Sequence, residues 1–226
     1  MLEPLAEGGA FFESPRWHER RWWVSDFYRH GVYTVSTDGT EELVLEVEHQ
    51  PSGLGWMPNG SLLIVSMKDQ RVLRRDRDGT VPVHAELAAF TDSSVNDMVV
   101  DGRGRAWIGC FGFDLMAFAD PQLAPTIHPS GTLSDRRVWA QLAPTPELGP
   151  LQEMLPQIAV GPDGCTLDAE GHIWAADEAG GRCIRIAAGG AIVDEIRTPE
   201  GLGCFACALG GPDGRMLLVC AAPDFL

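Results

Sequence analysis

Short apolar runs separated by tight turns recur along the chain, and one stretch shows the pattern most clearly. Residues 161–177 read GPDGCTLDAEGHIWAAD, with a short apolar step, an Asp-Ala-Glu-Gly-His turn and then Ile-Trp-Ala-Ala. Runs of about four to eight β-prone residues bounded by such turns are typical of a β-hairpin. The pattern therefore predicts strand, turn and strand, with Asp163 at the point where a loop enters the first strand.

The same hairpin pattern recurs at a nearly regular interval. The corresponding turn residues are Glu19, Asn59, Gly102, Glu170 and Asp213. Their spacings are 40, 43, 68 and 43 residues. A period of about 40–45 residues with several strands in each unit is typical of β-propeller blades, and no helical periodicity competes with it. Neighbouring blades would bury each other's faces, and we expect Trp107 and Trp174 in that core.

The 68-residue interval is the irregular one. It contains residues 114–160, which are rich in Pro, Ala and Leu and have no clear hairpin turn between flanking strands. Only the segment 135–142 is typical of an outer strand. We therefore predict an all-β chain that forms a single β-propeller domain over residues 1–226, with an irregularity at 114–160.

Composition and charge narrow the classes of partner. The net charge is −15, which makes nucleic acid and acidic membrane surfaces poor partners. No basic-then-apolar leader opens the sequence, and no apolar run approaches the roughly 20 residues of a membrane span.

The CxxC of Cys204 and Cys207 lacks a second pair or a histidine at zinc spacing. We expect a cytoplasmic protein with buried free thiols and no membrane or nucleic-acid partner.

Seven ordered motifs carry a resemblance to a known family. They are ESPRW (13–17), VSDFYRHGVYTV (24–35), QPSGLGWMPNG (50–60), VNDMVVDGRGRAWIG (95–109), GTLSDRRVWAQL (131–142), GPDGCTLDAEGHIWAAD (161–177) and FACALGGPDGRMLLVCAAPDF (205–225). The chain resembles the senescence-marker-protein/gluconolactonase family, which includes regucalcin and related lactonases. The resemblance implies a six-bladed propeller with one divalent cation in its central channel.

The resemblance also implies a set of metal ligands. The family's Glu ligand falls on Glu13 and its Asp ligand on Asp163, while a further Asn beside the metal falls on Asn96. These three residues are the predicted metal ligands, with calcium as the first choice of cation and zinc, magnesium or manganese as alternatives. Read without the resemblance, the two acids would be ordinary exposed carboxylates, and Asn96 would be a loop residue that caps a turn.

One family ligand has no counterpart. The family places an Asn-Gly motif one blade before the PDG segment, but the only asparagines here are Asn59, in a hairpin turn, and Asn96. About one blade is therefore expected to be missing, which agrees with the 68-residue interval. The ring would hold five blades or close incompletely, and an open sheet edge would favour pairing with a second copy. Water, Asn96 or a residue of 114–160 could replace the lost ligand.

The activity that the resemblance implies is metal-dependent hydrolysis of a sugar-type lactone to an aldonic acid. Asp163 would serve as metal ligand and as general base or acid, and Asn96 would orient the lactone. Asp114 is a candidate for contacts to substrate hydroxyls, with a structural role as its alternative. The family's substrate-binding Arg falls on Ser94, which favours a neutral lactone. The alternative function is a shortened, non-catalytic propeller that acts as a binding or scaffold protein.

Overall fold

The computed structural model describes residues 2–111, 140–142, 144, 147 and 149–224, and sixteen antiparallel strands form five sheets within them. The first sheet contains β1 (Phe12–His18), β2 (Arg21–Asp26), β3 (Gly31–Val35) and β4 (Glu41–Glu46). The second contains β5 (Pro51–Trp56), β6 (Leu62–Ser66), β7 (Arg71–Arg75) and β8 (Val83–Glu86). The third pairs β9 (Val95–Val100) with β10 (Ala106–Cys110).

The remaining elements follow residue 149. A one-turn helix, α1 (Leu151–Met154), continues into a 3-10 turn, Leu155–Gln157. The fourth sheet contains β11 (Pro162–Leu167), β12 (Ile173–Asp177), β13 (Arg182–Ile186) and β14 (Ile192–Arg197). The fifth pairs β15 (Gly203–Gly210) with β16 (Met216–Ala222). Each sheet is a meander of consecutive strands, as a propeller blade requires.

Alternation of side chains along a strand explains how the sheets pack. In β6, Leu62 and Ile64 join an apolar cluster with Val32 of the first sheet. Leu63 and Val65 point to the opposite face and pack with Met98 of the third sheet. Because successive residues of a strand face opposite sides, a fully apolar strand is buried only between two neighbours. β6 therefore lies in a central layer with a sheet on either side.

The strand that begins each sheet lies on its inner side. These inner strands pack side by side in the order β11, β15, β1, β5 and β9. Their neighbouring sheets share apolar clusters, for example Trp22 with Ala208 and Ala176 with Cys207. The predicted all-β propeller class is confirmed, and five sheets are present in the described ranges.

The sequence also predicted the hairpin turns, the burial of two tryptophans and the state of the cysteines. The hairpin turns are present, and Gly60 of the PNG turn adopts the left-handed φ of +86° that only glycine adopts readily. Trp174 packs against a core cluster, but the expectation for Trp107 was wrong, because it is 38% exposed and lies against Arg105. All six cysteines are free, and four of them are buried as expected, whereas Cys110 is half-buried and Cys165 is exposed.

The irregular segment contains no strand in its described residues, which are 140–142, 144, 147 and 149–160. Of the predicted outer strand at 135–142, residues 135–139 lie outside the described residues, and residues 140–142 are described but do not form a strand. In the ranges that the structure covers, no helix has the length and apolarity needed to cross a bilayer.

Candidate active site

Every inner strand has an irregular pairing at a corresponding place. In β1 the register shifts after Glu13, whereas in β9 and β11 it shifts after Val95 and Pro162, so that Asn96 and Asp163 come next. A β-bulge of this kind bends the strand and redirects a side chain, and bulges are common beside active sites. The three predicted ligands therefore project from matching positions of three blades.

These side chains open to one cavity of about 270 Å³. Its lining includes Glu13, Asn96 and Asp163, and also Ser94, the residue that the resemblance aligns with the family's substrate-binding arginine. The structure thus brings the predicted ligands together, although their roles as ligands stay predictions. Asp114, the predicted substrate contact, lies outside the described residues.

The two acids predicted as metal ligands, Glu13 and Asp163, have raised pKa values. Glu13 is only 4% exposed, and burial, then Asp163 and then Asp97 raise its pKa well above the usual range. The backbone N–H of Ser14 opposes this shift, because it donates to Glu13 Oε2 over 3.0 Å. Both nearby carboxylates favour the protonated form of a neighbour through like-charge repulsion.

Asp163 is open to the cavity, but the protein around its carboxylate excludes enough water to raise its pKa. Burial raises the pKa of Asp163 to about 7, and Asp97 and Glu178 add to the effect. Burial, followed by the adjacent Asp177, also raises the pKa of Glu178. Two carboxyl groups with raised pKa values, those of Asp163 and Glu178, therefore lie on the side of the cavity formed by the fourth sheet.

Hydrogen bonds between blades fix the inner strands around the cavity. Ser52 Oγ donates to Asn96 Oδ1 over 2.6 Å. The hydroxyl of Ser14 accepts from the backbone N–H of Leu54 at 3.0 Å and donates to Asp97 Oδ1 at 3.3 Å. Three consecutive sheets are thereby joined at the level of the bulges.

Two fully buried aspartates hold the loops that lead to the site. Asp177 Oδ1 accepts from the backbone N–H of Gly161 at 2.9 Å and of Gly180 at 3.1 Å, while Oδ2 accepts from Arg182 Nε at 2.8 Å. Asp26 plays the matching part in the first sheet, where it accepts from the N–H groups of residues 10 and 11. These hydrogen bonds fix the backbone segments that come just before Asp163 and Glu13.

A hard divalent cation suits the donor types present. Burial and neighbouring carboxylates, rather than a nearby cation, dominate the pKa values of Glu13 and Asp163. Carboxylate and amide oxygens are the ligands that calcium and magnesium prefer. In the described part of the chain, however, no group of three or more His, Cys, Asp or Glu side chains is arranged to hold a metal ion. The residues therefore fit a cation only as a mixed set, in which the Asn96 amide joins two acids.

Sequence reasoning missed several residues of the cavity. Phe27, Met67, Phe111 and Glu178 each follow directly the second strand of a sheet and line the cavity. Lys68, the only lysine in the sequence, comes one residue later. The four residues Phe27, Met67, Phe111 and Glu178 occupy equivalent positions of the repeat, and that recurrence was the available signal.

Comparison with known proteins gives a consistent result. The family model described as SMP-30/gluconolactonase/LRE-like region matches residues 11–124 and 123–223. No curated protein sequence matches the chain. A gluconolactonase structure from Xanthomonas campestris is 19% identical, with a TM-score of 0.70, and the match covers 96% of this chain and 86% of that one.

Two further solved structures share the fold. The calcium-binding protein regucalcin from Agrobacterium tumefaciens is 19% identical over 94% of this chain and 82% of its own, with a TM-score of 0.66. A luciferin-regenerating enzyme is 16% identical over 93% of this chain and 83% of its own, with a TM-score of 0.64. Because the family model matches nearly the whole length, the chain belongs to the SMP-30/gluconolactonase/LRE-like family.

Proposed function

We propose that this protein is a lactonase that uses a divalent cation to hydrolyse a cyclic ester. The observation that carries the proposal is the meeting of Glu13, Asn96 and Asp163, from three separate inner strands, at one cavity. Membership of a family that includes gluconolactonases supports the same reaction. A sugar-type lactone, converted to an aldonic acid, is the substrate predicted from the sequence, and calcium is the first cation to test.

The residues of the cavity have separable tasks in this proposal. Glu13, Asp163 and the Asn96 amide would hold the cation, which would polarise the ester carbonyl and stabilise the negative charge that develops on its oxygen. Asp163 would also accept a proton from the attacking water and return it to the ring oxygen. Ser52 holds the Asn96 side chain in place.

The first test is hydrolysis of glucono-1,5-lactone above the uncatalysed rate. The assay would be run on chelated protein and again after addition of calcium, zinc, magnesium or manganese. Metal-restored activity that Asp163→Asn abolishes is the expected result. Asp213→Asn, in the exposed turn before β16, removes a carboxylate that does not line the cavity and should leave the rate unchanged.

One observation favours the alternative of a non-catalytic binding protein. Within the described ranges no three-acid or histidine-containing metal cluster is present, and the family's third ligand has no counterpart in the sequence. A folded protein that binds calcium but hydrolyses no lactone in a broad panel would favour this alternative. Pairing with a second copy through an open sheet edge is a further proposal, which sedimentation velocity would check.

A further inference from the structure

Part of the lining of the cavity is apolar. Phe27, Met67 and Phe111 follow the second strands of the first three sheets, and Phe11 and Phe205 lie beside them. Phe11, Phe27, Met67 and Phe205 are buried and form one apolar cluster, against which the partly buried Phe111 packs. We name these five residues the aromatic wall, although one of them is methionine.

Ring contacts hold this wall in place. The rings of Phe11 and Phe27 stack with centroids 5.2 Å apart, and those of Phe11 and Phe205 lie 4.9 Å apart at a tilt of 59°. Rings held on several sides lose little freedom when a ligand arrives. The aromatic wall is therefore a preformed surface on which an apolar group can be buried.

Polar side chains are present in the same cavity, but none of those described belongs to the aromatic wall. The polar side chains of the described lining are Glu13, Tyr28, Lys68, Ser94, Asn96, Asp163 and Glu178. Glu13 and Asp163 lie at the end where the ester would react. A hydroxyl pressed against phenyl rings without a partner loses about tenfold or more in affinity. A polyhydroxylated ring is thus a poor match for the aromatic wall.

We propose that the substrate is a lactone with an apolar alkyl or aryl substituent, which lies on the aromatic wall while the ester faces Glu13, Asn96 and Asp163. This inference rests on the proposed function and departs from the polyhydroxylated substrate predicted from the sequence. In the reaction, water adds its oxygen to the carbonyl carbon, the ring C–O bond breaks, and the ring oxygen takes a proton. The product is a hydroxy acid with the apolar substituent unchanged.

A homologous series of δ-lactones tests the proposal. Values of kcat/KM would be measured for δ-valerolactone, δ-hexalactone, δ-nonalactone, δ-undecalactone and glucono-1,5-lactone with the metal-loaded protein. We expect kcat/KM to rise by up to about fourfold for each methylene that reaches the wall, and δ-nonalactone to exceed glucono-1,5-lactone. Equal kcat/KM values along the series, or a higher kcat/KM for glucono-1,5-lactone than for δ-nonalactone, would overturn the inference.

A matched pair of variants locates the effect. Phe111→Ser removes a ring from the wall and should lower kcat/KM for δ-nonalactone about tenfold, with a smaller loss for δ-valerolactone. Phe90→Ser removes an equal ring that is 76% exposed and outside the cavity, and should change neither value. Equal losses for both lactones in Phe111→Ser would argue against the wall as the substituent's site.

Binding of unreactive analogues separates this inference from the proposed function. δ-Valerolactam and its 6-butyl derivative replace the ring oxygen by N–H and resist hydrolysis, so their dissociation constants can be measured by calorimetry. Tighter binding of the butyl compound, weakened by Phe111→Ser, would support the apolar site even if no lactone were hydrolysed. Equal affinities for the two lactams, or no binding of either, would overturn it.

Discussion

Ser52 of β5 donates a 2.6 Å hydrogen bond to Asn96 of β9, and this bond crosses from one sheet to the next. Ser52 is 1% exposed, so water does not compete for the bond. With Ser52 as donor, Asn96 keeps its N–H₂ group and a second lone pair for other partners. The contact makes Ser52 a positioning residue for the one neutral ligand of the proposed metal set.

Replacing Ser52 by alanine tests that role. Loss of a buried partner costs about 1–2 kcal/mol, and a freed Asn96 amide should weaken calcium binding and kcat/KM roughly 5- to 30-fold. Calcium affinity by calorimetry, together with kcat and KM, is the measurement. Ser66→Ala makes the same change at a buried serine of the same sheet and should leave calcium affinity unaltered. Equal losses of calcium affinity in both variants would show that Ser52 has only a structural role.

The raised pKa values predict how stability changes with pH. Asp163 titrates near 7 in the folded protein rather than near 3.8, so between about pH 4 and 7 the folded state binds more protons than the unfolded state. The free energy of unfolding of metal-free protein should therefore fall as pH rises through this window. Glu13 and Glu178, whose pKa values are also raised, act in the same direction.

Thermal unfolding in chelator from pH 4.5 to 8 is the measurement. The melting temperature should fall across the range, and Asp163→Asn should flatten the curve. Asp101→Asn is the matched control, because hydrogen bonds from Arg105 and Arg103 lower the pKa of Asp101 and its effect lies below pH 4. A melting temperature that rises towards pH 8 without metal would contradict the prediction.

Asp177 is predicted to be a major source of stability in the fourth sheet. Its carboxylate is fully buried and accepts from two backbone N–H groups and from Arg182. Hydrogen bonds to a buried charge are stronger than neutral ones, so Asp177→Ala should lower the free energy of unfolding by about 3 kcal/mol. Urea unfolding measures it, and Asp194→Ala, at an exposed position of β14, should cost under about 0.5 kcal/mol.

Gly53 has no room for a side chain. An added Cβ would lie 2.5 Å from the backbone nitrogen of Met98 in the neighbouring inner strand, so Gly53→Ala must push two sheets apart. We expect a loss of about 1–3 kcal/mol and reduced activity, because Ser52 and Asn96 flank this contact. Gly102→Ala meets nothing within 4 Å and is the control; equal stabilities of the two variants by urea unfolding would refute the prediction.

Lys68 is the only basic side chain among the described residues that line the cavity. Hydrolysis of a neutral lactone creates a carboxylate, which this ammonium group is placed to attract within an acidic cavity. We predict that Lys68→Met weakens inhibition by the hydroxy-acid product about threefold to tenfold, with a smaller effect on KM for the lactone. Product-inhibition constants at two salt concentrations check this, and an unchanged constant would rule out the role.

Much of the fold could be predicted because its information is local. Gly31–Val35 and Arg71–Arg75 are strands, and each is a short β-prone run followed by an Asp-Gly turn, a pattern that leaves few other structures. The spacing of the turns then gave the repeat. Placement of Glu13, Asn96 and Asp163 at one cavity followed from the family resemblance rather than from the residues alone.

The rest depends on contacts between distant parts of the chain. No local pattern indicates that Ser52 reaches Asn96, or that Glu178 raises the pKa of Asp163, because each pair joins separate elements. Trp107 was expected in the core because tryptophan in a strand is usually buried, but burial depends on which sheet covers that face. The aromatic wall could not be predicted from the sequence either, because its members lie on five different segments.

The bulges give the protein a form of modularity. Each one is formed in the pairing of a single hairpin, and the same backbone feature recurs from sheet to sheet. Ser52 occupies the position in the second sheet that Asp163 occupies in the fourth. One repeated backbone position thus presents a hydroxyl in one blade and a carboxylate in another at the centre of the molecule.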